Sequence, residues 1–480
     1  MGYRQNEDCD SEIVLGIVGP IGCNRELVIE RVKILAAHYN YQFETIKVSK
    51  LIEKYRNISV DGKDQYSRIT TLMDEGNSLR ENHNDNSMLA KLSAIKISEL
   101  RKKQSSKRVI YLIDSLKHPE EVKELRNIYG NGFYLFAIHA EEKERNKFLE
   151  INCNIKDESK REQLISRDKS EEDNGYGQST SSAFHLADFF LSEQGDTQKL
   201  YNVIQRFLDL IFGSPFSTPT FQEYAMFMAH ASGIRSADLS RQVGAVITRQ
   251  QSIVSSGANE CPKSFGGTYW PLFNTTTHKI YDQKDGRDYM RGADFNAQEK
   301  ENIIELLKKD IPEEYQKKLE ENINTAGLKD ITEFGRVVHA EMDAILSCAR
   351  LGVETKDSVM FCTTFPCHNC AKHIVASGIN RVVYIEPYPK SKALVMHDDS
   401  ITNSNREENE KVVFRPFIGV GPRQYINLFS MSLGDGREMK RKESDKVSAR
   451  KWDKKTAFPR VKLVQKSYID IEKELTEEYG

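Results

Sequence analysis

Short apolar runs alternate with amphipathic stretches in the N-terminal part of the chain. Residues 13–18 form a β-branched apolar run that ends in a glycine turn, and residues 26–39 then follow helical periodicity. Residues 109–114 and 133–138 predict two more buried strands, with a helix from residue 120. Strands that alternate with helices predict a parallel sheet whose ligands gather beyond the carboxyl ends of the strands.

Polar and charged stretches interrupt this pattern at residues 59–86 and 156–182. Their low apolar content predicts mobile insertions. Residues 214–220 contain two prolines among small polar residues, which is typical of a linker. We therefore predict a first domain at residues 1–213 and a second domain that begins at residue 221.

The second domain also shows the periodicities of a sheet flanked by helices. Its predicted elements are a helix at 220–231, a hairpin at 242–247 and 252–257, a helix at 340–351, a strand at 358–362, a helix at 367–377 and a strand at 381–385. An insertion at residues 260–334, with a helix near 297–309, is expected to wall a substrate pocket. We place the end of this domain at residue 436 and a basic tail at residues 437–480.

Charge and composition limit the classes of function. The chain has 480 residues with 69 basic and 71 acidic side chains, so its formal net charge is -2. This balance gives no general attraction for a polynucleotide, although residues 437–455 carry nine basic against four acidic side chains and would suit a nucleic acid or polyphosphate.

No apolar stretch is long enough to span a bilayer, and the polar residues 1–11 do not form a leader. We expect a cytoplasmic protein without a membrane partner, because eight irregularly spaced cysteines indicate a reducing compartment.

Two short segments carry the chemistry that the sequence indicates most specifically. His339 and Glu341 form an H-x-E motif, and Pro366, Cys367 and Cys370 form a P-C-x-x-C motif. This combination holds zinc in nucleobase deaminases. A catalytic zinc takes three protein ligands, here His339, Cys367 and Cys370, and leaves the fourth position to water. Glu341 is then the carboxylate that transfers protons without binding the metal.

A structural zinc site is the alternative interpretation of these residues. A C-x-x-C pair also occurs in structural half-sites and redox pairs, and a lone histidine is often a core residue. A structural site would need a fourth ligand, for which His368 and His373 are the candidates nearest the cysteines.

The glycine turn in the first domain invites comparison with a phosphate-binding P-loop. Starting from Gly19, the P-loop template requires glycine, lysine and serine or threonine where the chain has Asn24, Arg25 and Glu26. An anion site remains compatible with this loop, but phosphoryl transfer is not supported. Asp114 at a strand end fits either a magnesium-binding acid or a helix cap. The candidate nucleotide-binding residues of this domain are Gly19, Gly22 and Asp114.

With these segments identified, the second domain resembles the deoxycytidylate deaminase family. The matching residues are 242–246, 257–259, 339–341 and 363–370. The resemblance implies that Asn259 hydrogen-bonds the sugar hydroxyl of a nucleotide, whereas an asparagine that closes its own turn is the alternative. Arg241 and Lys390 are candidates for binding the substrate phosphates, because an anionic nucleotide needs compensating charge.

The whole architecture resembles the bacterial anti-phage deoxycytidine nucleotide deaminases. The matching residues are 16–22, 114–119, 236–244, 386–391 and 416–420. The resemblance implies an α/β protein with a P-loop-kinase-like three-layer domain followed by a cytidine-deaminase-like α/β/α sandwich. It also implies deamination of dCTP, dCMP or both, which drains the pool that a phage needs, under restraint by a small regulatory RNA in some members.

Oligomeric state and the role of the first domain follow only by analogy. Deoxycytidylate deaminases often form hexamers, so a homo-oligomer is expected. Sensing or assembly suits the first domain better than an ATP-driven role, because its P-loop is degenerate. The competing functions are a polynucleotide-editing cytidine deaminase and a nucleotide-sensing regulatory protein with a structural zinc.

Overall fold

The computed structural model describes residues 11–104, 106–169, 171, 175–193, 197–309, 311–327, 331, 333–386, 391–403, 410–434 and 436–463. The chain divides into two compact units. Unit 1 comprises Met1–Thr220 together with Ile418–Gly480, and unit 2 comprises Phe221–Phe417. Within the described residues, no helix combines the length and the apolar character that crossing a membrane requires.

Unit 1 is an α/β fold built on a parallel sheet, as the sequence pattern predicts. Its elements up to residue 220 are β1 (Ile13–Val18), α1 (Arg25–His38), β2 (Gln42–Lys47), α2 (Val48–Arg56), α3 (Gln65–His83), α4 (Met88–Arg101), β3 (Val109–Leu116), α5 (Pro119–Tyr129), β4 (Phe133–His139), α6 (Glu142–Ile151), α7 (Glu158–Lys169), α8 (Thr180–Phe184), β5 (Phe189–Ser192) and α9 (Thr197–Ile211). The parallel strands lie in the order β5-β4-β1-β3-β2.

The layers of unit 1 follow from the two buried faces of its central strands. All six residues of β1 are buried, as expected for a parallel strand covered on both sides. Alternate residues such as Leu15 and Ile17 pack with Val32 of α1 and Phe207 of α9 in one apolar cluster. Helices α2, α4, α5 and α8 contact strands of the same sheet. Unit 1 is therefore a three-layer arrangement.

The two polar stretches of unit 1 are not the mobile insertions that their composition suggested. Residues 59–86 contain the 19-residue helix α3, and residues 156–182 contain α7 and the start of α8. Helix α3 begins at Asp64, whose side chain accepts from the Ser67 amide, and it buries Arg80 against an acidic partner. Caps and buried ion pairs thus replace the apolar content on which the prediction depended.

The C-terminal segment differs from the predicted boundary at residue 436. It adds β14 (Gly419–Val420) and α17 (Pro422–Phe429) to unit 1, and β14 pairs antiparallel with β5. The described part of the basic tail also folds onto this unit: the Arg460 amide donates to Ile211 O at 2.8 Å, and its guanidinium donates to Leu428 O at 2.8 Å. These contacts join residues distant in sequence, so composition gave no sign of them.

Unit 2 is a mixed sheet flanked by helices. Its elements are α10 (Phe221–Ile234), β6 (Gly244–Arg249), β7 (Ser252–Ala258), β8 (Leu272–Phe273), β9 (Ile280–Tyr281), α11 (Asp288–Arg291), α12 (Phe295–Lys308), α13 (Glu313–Thr325), α14 (Ala340–Leu351), β10 (Val359–Thr364), α15 (His368–Ala376), β11 (Arg381–Glu386), α16 (Ala393–Met396), β12 (Ile401–Thr402) and β13 (Val412–Pro416). The strand order is β12-β13-β11-β10-β6-β7, with the β6–β7 hairpin antiparallel to β10.

Close packing between β7 and α14 sets the position of the helix that carries the predicted site. Ala340 and Ala344 of α14 join Cys370 of α15 in the apolar core of unit 2. A Cβ atom on Gly257 would lie 2.2 Å from the Ala340 carbonyl oxygen, a distance that no side chain tolerates. Glycine at this position therefore lets α14 lie directly on the strand.

Candidate metal centre

Two helix starts present the donor atoms of the predicted zinc site. His339 is the residue before α14, and Cys367 is the residue before α15, where its sulfur accepts from the Cys370 amide at 3.4 Å. Cys370 lies in the first turn of α15 and Glu341 in the first turn of α14. Because α15 follows β10 and α14 packs on β6 and β7 of the same sheet, residues that are 28 and 31 positions apart meet in space.

The three donor atoms have the spacing that a tetrahedral metal requires. His339 Nδ1 lies 3.4 Å from Cys367 Sγ and 3.3 Å from Cys370 Sγ, and all three atoms fall within 4.8 Å of one another. Zinc bonds of about 2.0–2.3 Å in a tetrahedral shell would separate nitrogen from sulfur by about 3.5 Å. The donor set and its geometry therefore fit zinc.

The structure also bears on the alternative of a fully enclosed structural ion. Among the residues that the structure describes, neither His368 nor His373 joins the group of three donors. His368 Nε2 instead lies 3.7 Å from Glu333 Oε1. Three protein donors correspond to the ligand count of a catalytic zinc site.

The electrostatics of the cluster favour a thiolate. Hydrogen bonding with Cys370 lowers the pKa of the Cys367 thiol to about 4. Hydrogen bonding with Cys367 raises the pKa of the His339 imidazole to about 9, despite the opposing effect of burial. Burial instead raises the pKa of the Cys370 thiol, so the thiolate that this environment favours belongs to Cys367.

Glu341 lies beside this cluster as a buried acid. Its side chain is 3% exposed. Burial raises the pKa of its carboxyl group, and the negative charge of Cys367 acts in the same direction. A carboxyl group whose protonated form is favoured in this way is suited to carrying a proton during a reaction.

A cavity of about 220 Å³ opens onto the cluster. Glu341 and two of the metal donors line its floor, and residues 238–241 line one wall. The insertion supplies a further wall through Asp288, Asp294 and Asn296. The expectation that the insertion contributes to a pocket is thus met by the lining of this cavity.

Asn259 lines the cavity and is hydrogen-bonded within the chain. Its Oδ1 accepts from the Val243 amide at 2.7 Å, and its Nδ2 donates to Arg241 O at 2.8 Å. The side chain is 6% exposed and also lines the cavity. The contacts within the chain therefore hold the segment that carries Arg241, and a bond to a sugar hydroxyl stays a prediction.

The structure describes one of the two candidates for phosphate binding, Arg241. Arg241 lines the cavity with an exposed side chain, and its amide donates to Asp238 Oδ1 at 3.1 Å. Lys390 lies outside the described residues. The position of Arg241 is compatible with the predicted role.

The sequence did not reveal a buried ion pair next to residues 238–241, which line the cavity. Glu260 is 1% exposed and accepts from the Ala237 amide at 3.1 Å and from the Cys261 amide at 2.9 Å. Its carboxylate also lies 3.2 Å from Arg287 Nε in the insertion. Residue types alone gave no signal for this link, because the partners are 27 positions apart and follow no motif.

The candidate nucleotide residues of unit 1 meet partners within their own unit. Asp114 Oδ1 accepts from Arg25 Nε at 2.9 Å. The Gly19 carbonyl accepts from Lys117 Nζ at 2.8 Å, and a Cβ atom on Gly22 would lie 2.7 Å from the Arg145 carbonyl oxygen. Asp114 is therefore an ion-pair partner, and a role for these three residues in binding a nucleotide stays a prediction.

The mixed sheet of unit 2, its flanking helices and the three-donor cluster form an α/β/α domain with a candidate zinc site. In agreement, residues 219–386 match the family model of the cytidine and deoxycytidylate deaminase zinc-binding region. Zinc is accordingly the cofactor of this region.

Curated relatives share short parts of the chain. It is 45% identical over 53 residues to ComE operon protein 2 of Bacillus subtilis, which covers 11% of this chain and 28% of that protein. It is 43% identical over 70 residues to the deoxycytidylate deaminase of phage T4, covering 15% and 35%. Over 164 residues it is 24% identical to human deoxycytidylate deaminase, covering 34% and 63%. The chain thus spans about a third of the length of the first two relatives.

Solved structures are similar to parts of the chain at low identity. The dCMP deaminase of cyanophage S-TIM5 is 18% identical, with 42% of this chain and 99% of that chain covered and a TM-score of 0.23. Shikimate kinase from Acinetobacter baumannii is 13% identical, with 43% and 97% covered and a TM-score of 0.26.

Proposed function

We propose that unit 2 catalyses the hydrolytic deamination of a deoxycytidine nucleotide. The observation that carries this proposal is the meeting of His339, Cys367 and Cys370 with the buried acid Glu341 at the floor of one cavity. A structural zinc would need neither an adjoining cavity nor a buried proton carrier. The match of this region to a deaminase family model supports the same conclusion.

The residues of the chain divide the chemistry between them. His339, Cys367 and Cys370 hold the zinc, which when bound supplies a Lewis acid that lowers the pKa of water toward neutrality. Glu341 would transfer one proton of the attacking water to the ring nitrogen and the second proton of that water to the departing amino group, which leaves as ammonia. The cavity walls hold the base over the floor, and Arg241 contributes positive charge toward a phosphate.

The substrate and the biological role are parts of the same proposal. We infer dCMP, dCTP or both as substrates, with the uridine forms as products. Turnover of dCTP in the cytoplasm would drain the dCTP pool and so act against phage. Assembly into a homo-oligomer and control by a small RNA belong to this proposal through the resemblance of the sequence alone.

The experiment is a side-by-side turnover assay with purified full-length chain. Ammonia release and product mass are measured for dCMP, dCTP, CTP, cytidine and a cytosine-containing single strand, with zinc content measured on the same samples. We expect turnover of at least one deoxycytidine nucleotide. Glu341→Gln should lower this turnover by about 10²–10⁴-fold while zinc is retained.

The control variant is Glu354→Gln, which removes an exposed carboxylate of the same unit that pairs with Arg249 at 2.9 Å. It should leave turnover unchanged. Full activity of Glu341→Gln with zinc bound would overturn the proposed role of the acid. Turnover confined to the single strand would instead favour the polynucleotide-editing function, and zinc retention without turnover of any substrate would favour a structural zinc.

A further inference from the structure

The glycine loop of unit 1, residues 19–24, meets a carboxylate from a distant helix. Asp168 lies near the end of α7 and is 1% exposed. Its Oδ2 accepts from the Ile21 amide at 2.8 Å, and its Oδ1 accepts from Lys117 Nζ at 2.7 Å. One carboxylate therefore bridges a loop amide and a lysine.

The lysine of this pair is fixed toward the loop. Lys117 follows β3 and is 14% exposed in its side chain, and its ammonium group also donates to the Gly19 carbonyl at 2.8 Å. A backbone amide and a lysine ammonium that converge on one anion are the donors with which phosphate-binding loops hold phosphoryl oxygens. In this chain the lysine comes from the end of β3, so the P-loop template does not detect it.

Two further groups at the loop are also paired with acidic side chains. The Asn24 amide donates to Glu193 Oε2, at the end of β5. Arg25 pairs with Asp114. Lys117 and Arg25 thus each have a carboxylate partner, and a second loop amide has another.

From this arrangement we propose that Asp168 is an internal, autoinhibitory occupant of an anion site formed by Ile21 N and Lys117. A phosphoryl group and the Asp168 carboxylate cannot share these donors, since two anions within hydrogen-bonding distance of the same groups repel each other strongly. The site accepts a phosphate-bearing ligand only when α7 withdraws Asp168. This inference is independent of the deaminase reaction of unit 2.

The neighbouring helix α6 packs closely against the glycine loop. The Arg145 carbonyl of α6 is so close to Gly22 that a single added Cβ would approach it to 2.7 Å. Gly22 also has a φ of +84°, which suits glycine. Withdrawal of Asp168 is therefore the change that would free the two donors.

The test compares full-length variants in their response to inorganic pyrophosphate. Asp168→Ala removes the internal anion and leaves Lys117 without its partner. We expect its apparent affinity for pyrophosphate, from equilibrium binding, to exceed that of the unmodified chain by at least about tenfold, with thermal stability rising as pyrophosphate is added. Asp168→Asn, which keeps the side-chain volume, should show the same gain if the alanine variant folds poorly.

Two controls separate this proposal from a purely structural role of Asp168. Glu162→Ala removes an exposed carboxylate from the same helix and should gain no affinity. Lys117→Met added to Asp168→Ala should abolish the gain, because the lysine is the main cationic donor. Chloride at matched ionic strength corrects for screening.

Three results would overturn the proposal. One is pyrophosphate binding by the unmodified chain as tight as that of the Asp168 variants. Another is destabilisation of both Asp168 variants without any response to pyrophosphate, which is what a structural ion pair predicts. The third is a gain that persists in the double variant with Lys117→Met.

Discussion

The metal centre of unit 2 and the glycine loop of unit 1 both follow from short motifs, but their polar groups have different partners. In unit 2, one imidazole and two thiols converge as a group that could hold a metal ion. In unit 1, the loop amide and Lys117 already contact Asp168. The first arrangement is built for an ion from solution, whereas the second is satisfied from within the chain.

This contrast shows that a motif defines donor atoms but not their occupant. Buried polar groups must be paired, and a chain can provide the partner itself. The cluster of His339, Cys367 and Cys370 gains a cation because its donors are anionic or neutral when metal-bound. The loop of unit 1 attracts an anion, and the nearest anion belongs to α7.

Among the predicted effects, the loss of a metal donor from unit 2 is expected to be the largest. Cys370→Ser should release zinc and lower nucleotide turnover by more than about a thousandfold, equal to about 4 kcal/mol of transition-state stabilisation. Zinc content by elemental analysis and ammonia release are the measurements. Cys153→Ser, in unit 1, is the matched control and should keep both. Retained zinc and turnover in Cys370→Ser would mean that the ion is held elsewhere.

Neutralising one partner of a buried ion pair in unit 1 should have a comparably large effect, in this case on the free energy of unfolding. Arg80 Nη2 lies 2.7 Å from Glu121 Oε1, and both side chains are 1% exposed. Glu121→Gln leaves a buried guanidinium without its counter-charge, so unit 1 should lose about 3–5 kcal/mol in denaturant unfolding. Glu120→Gln, which breaks only an exposed pair with Lys123, should cost under about 0.5 kcal/mol. Similar losses in the two variants would contradict internal charge pairing as the stabilising feature.

The position of the metal-bearing helix can be disturbed without touching a donor. Gly257→Ala places a methyl group against the α14 backbone, and unit 2 should lose about 3 kcal/mol of unfolding free energy. Turnover should fall as well, because α14 carries Glu341. Gly175→Ala meets no atom within 4 Å and should change stability by less than about 0.5 kcal/mol. An unaffected Gly257→Ala would show that the strand and helix do not approach this closely.

The smallest of these effects decides between two roles for Asn259. Asn259→Ala leaves the buried Val243 amide without an acceptor and should cost about 1–3 kcal/mol of unfolding free energy. Because the Arg241 segment loosens, KM for the nucleotide should rise together with this loss. Ser240→Ala on the same cavity wall is the control. Unchanged stability combined with a large loss of turnover would favour direct contact with the sugar.

Periodicity in the sequence located the elements around the site closely. The predicted helix at residues 340–351 coincides with α14, and the hairpin at 242–257 corresponds to β6 and β7. The short, half-exposed strand β2 was missed because its residues alternate weakly, with a single buried position at Ile46. The polar helices α3 and α7 were missed because few of their residues are apolar, whereas Arg80 of α3 and Asp168 of α7 form ion pairs with residues distant in sequence.

The sequence by itself determined the metal donors, because each half of the motif is contiguous and each begins a helix, so local geometry aims its side chains. Only the tertiary structure decided what meets the glycine loop. Asp168 is 147 residues from Ile21, and its position depends on how α7 packs. The same holds for the return of the C-terminal segment to unit 1 and for the partners of Asn259. Contacts between residues far apart in the chain are chosen by packing and by the need to pair buried charges, and neither leaves a local pattern to read.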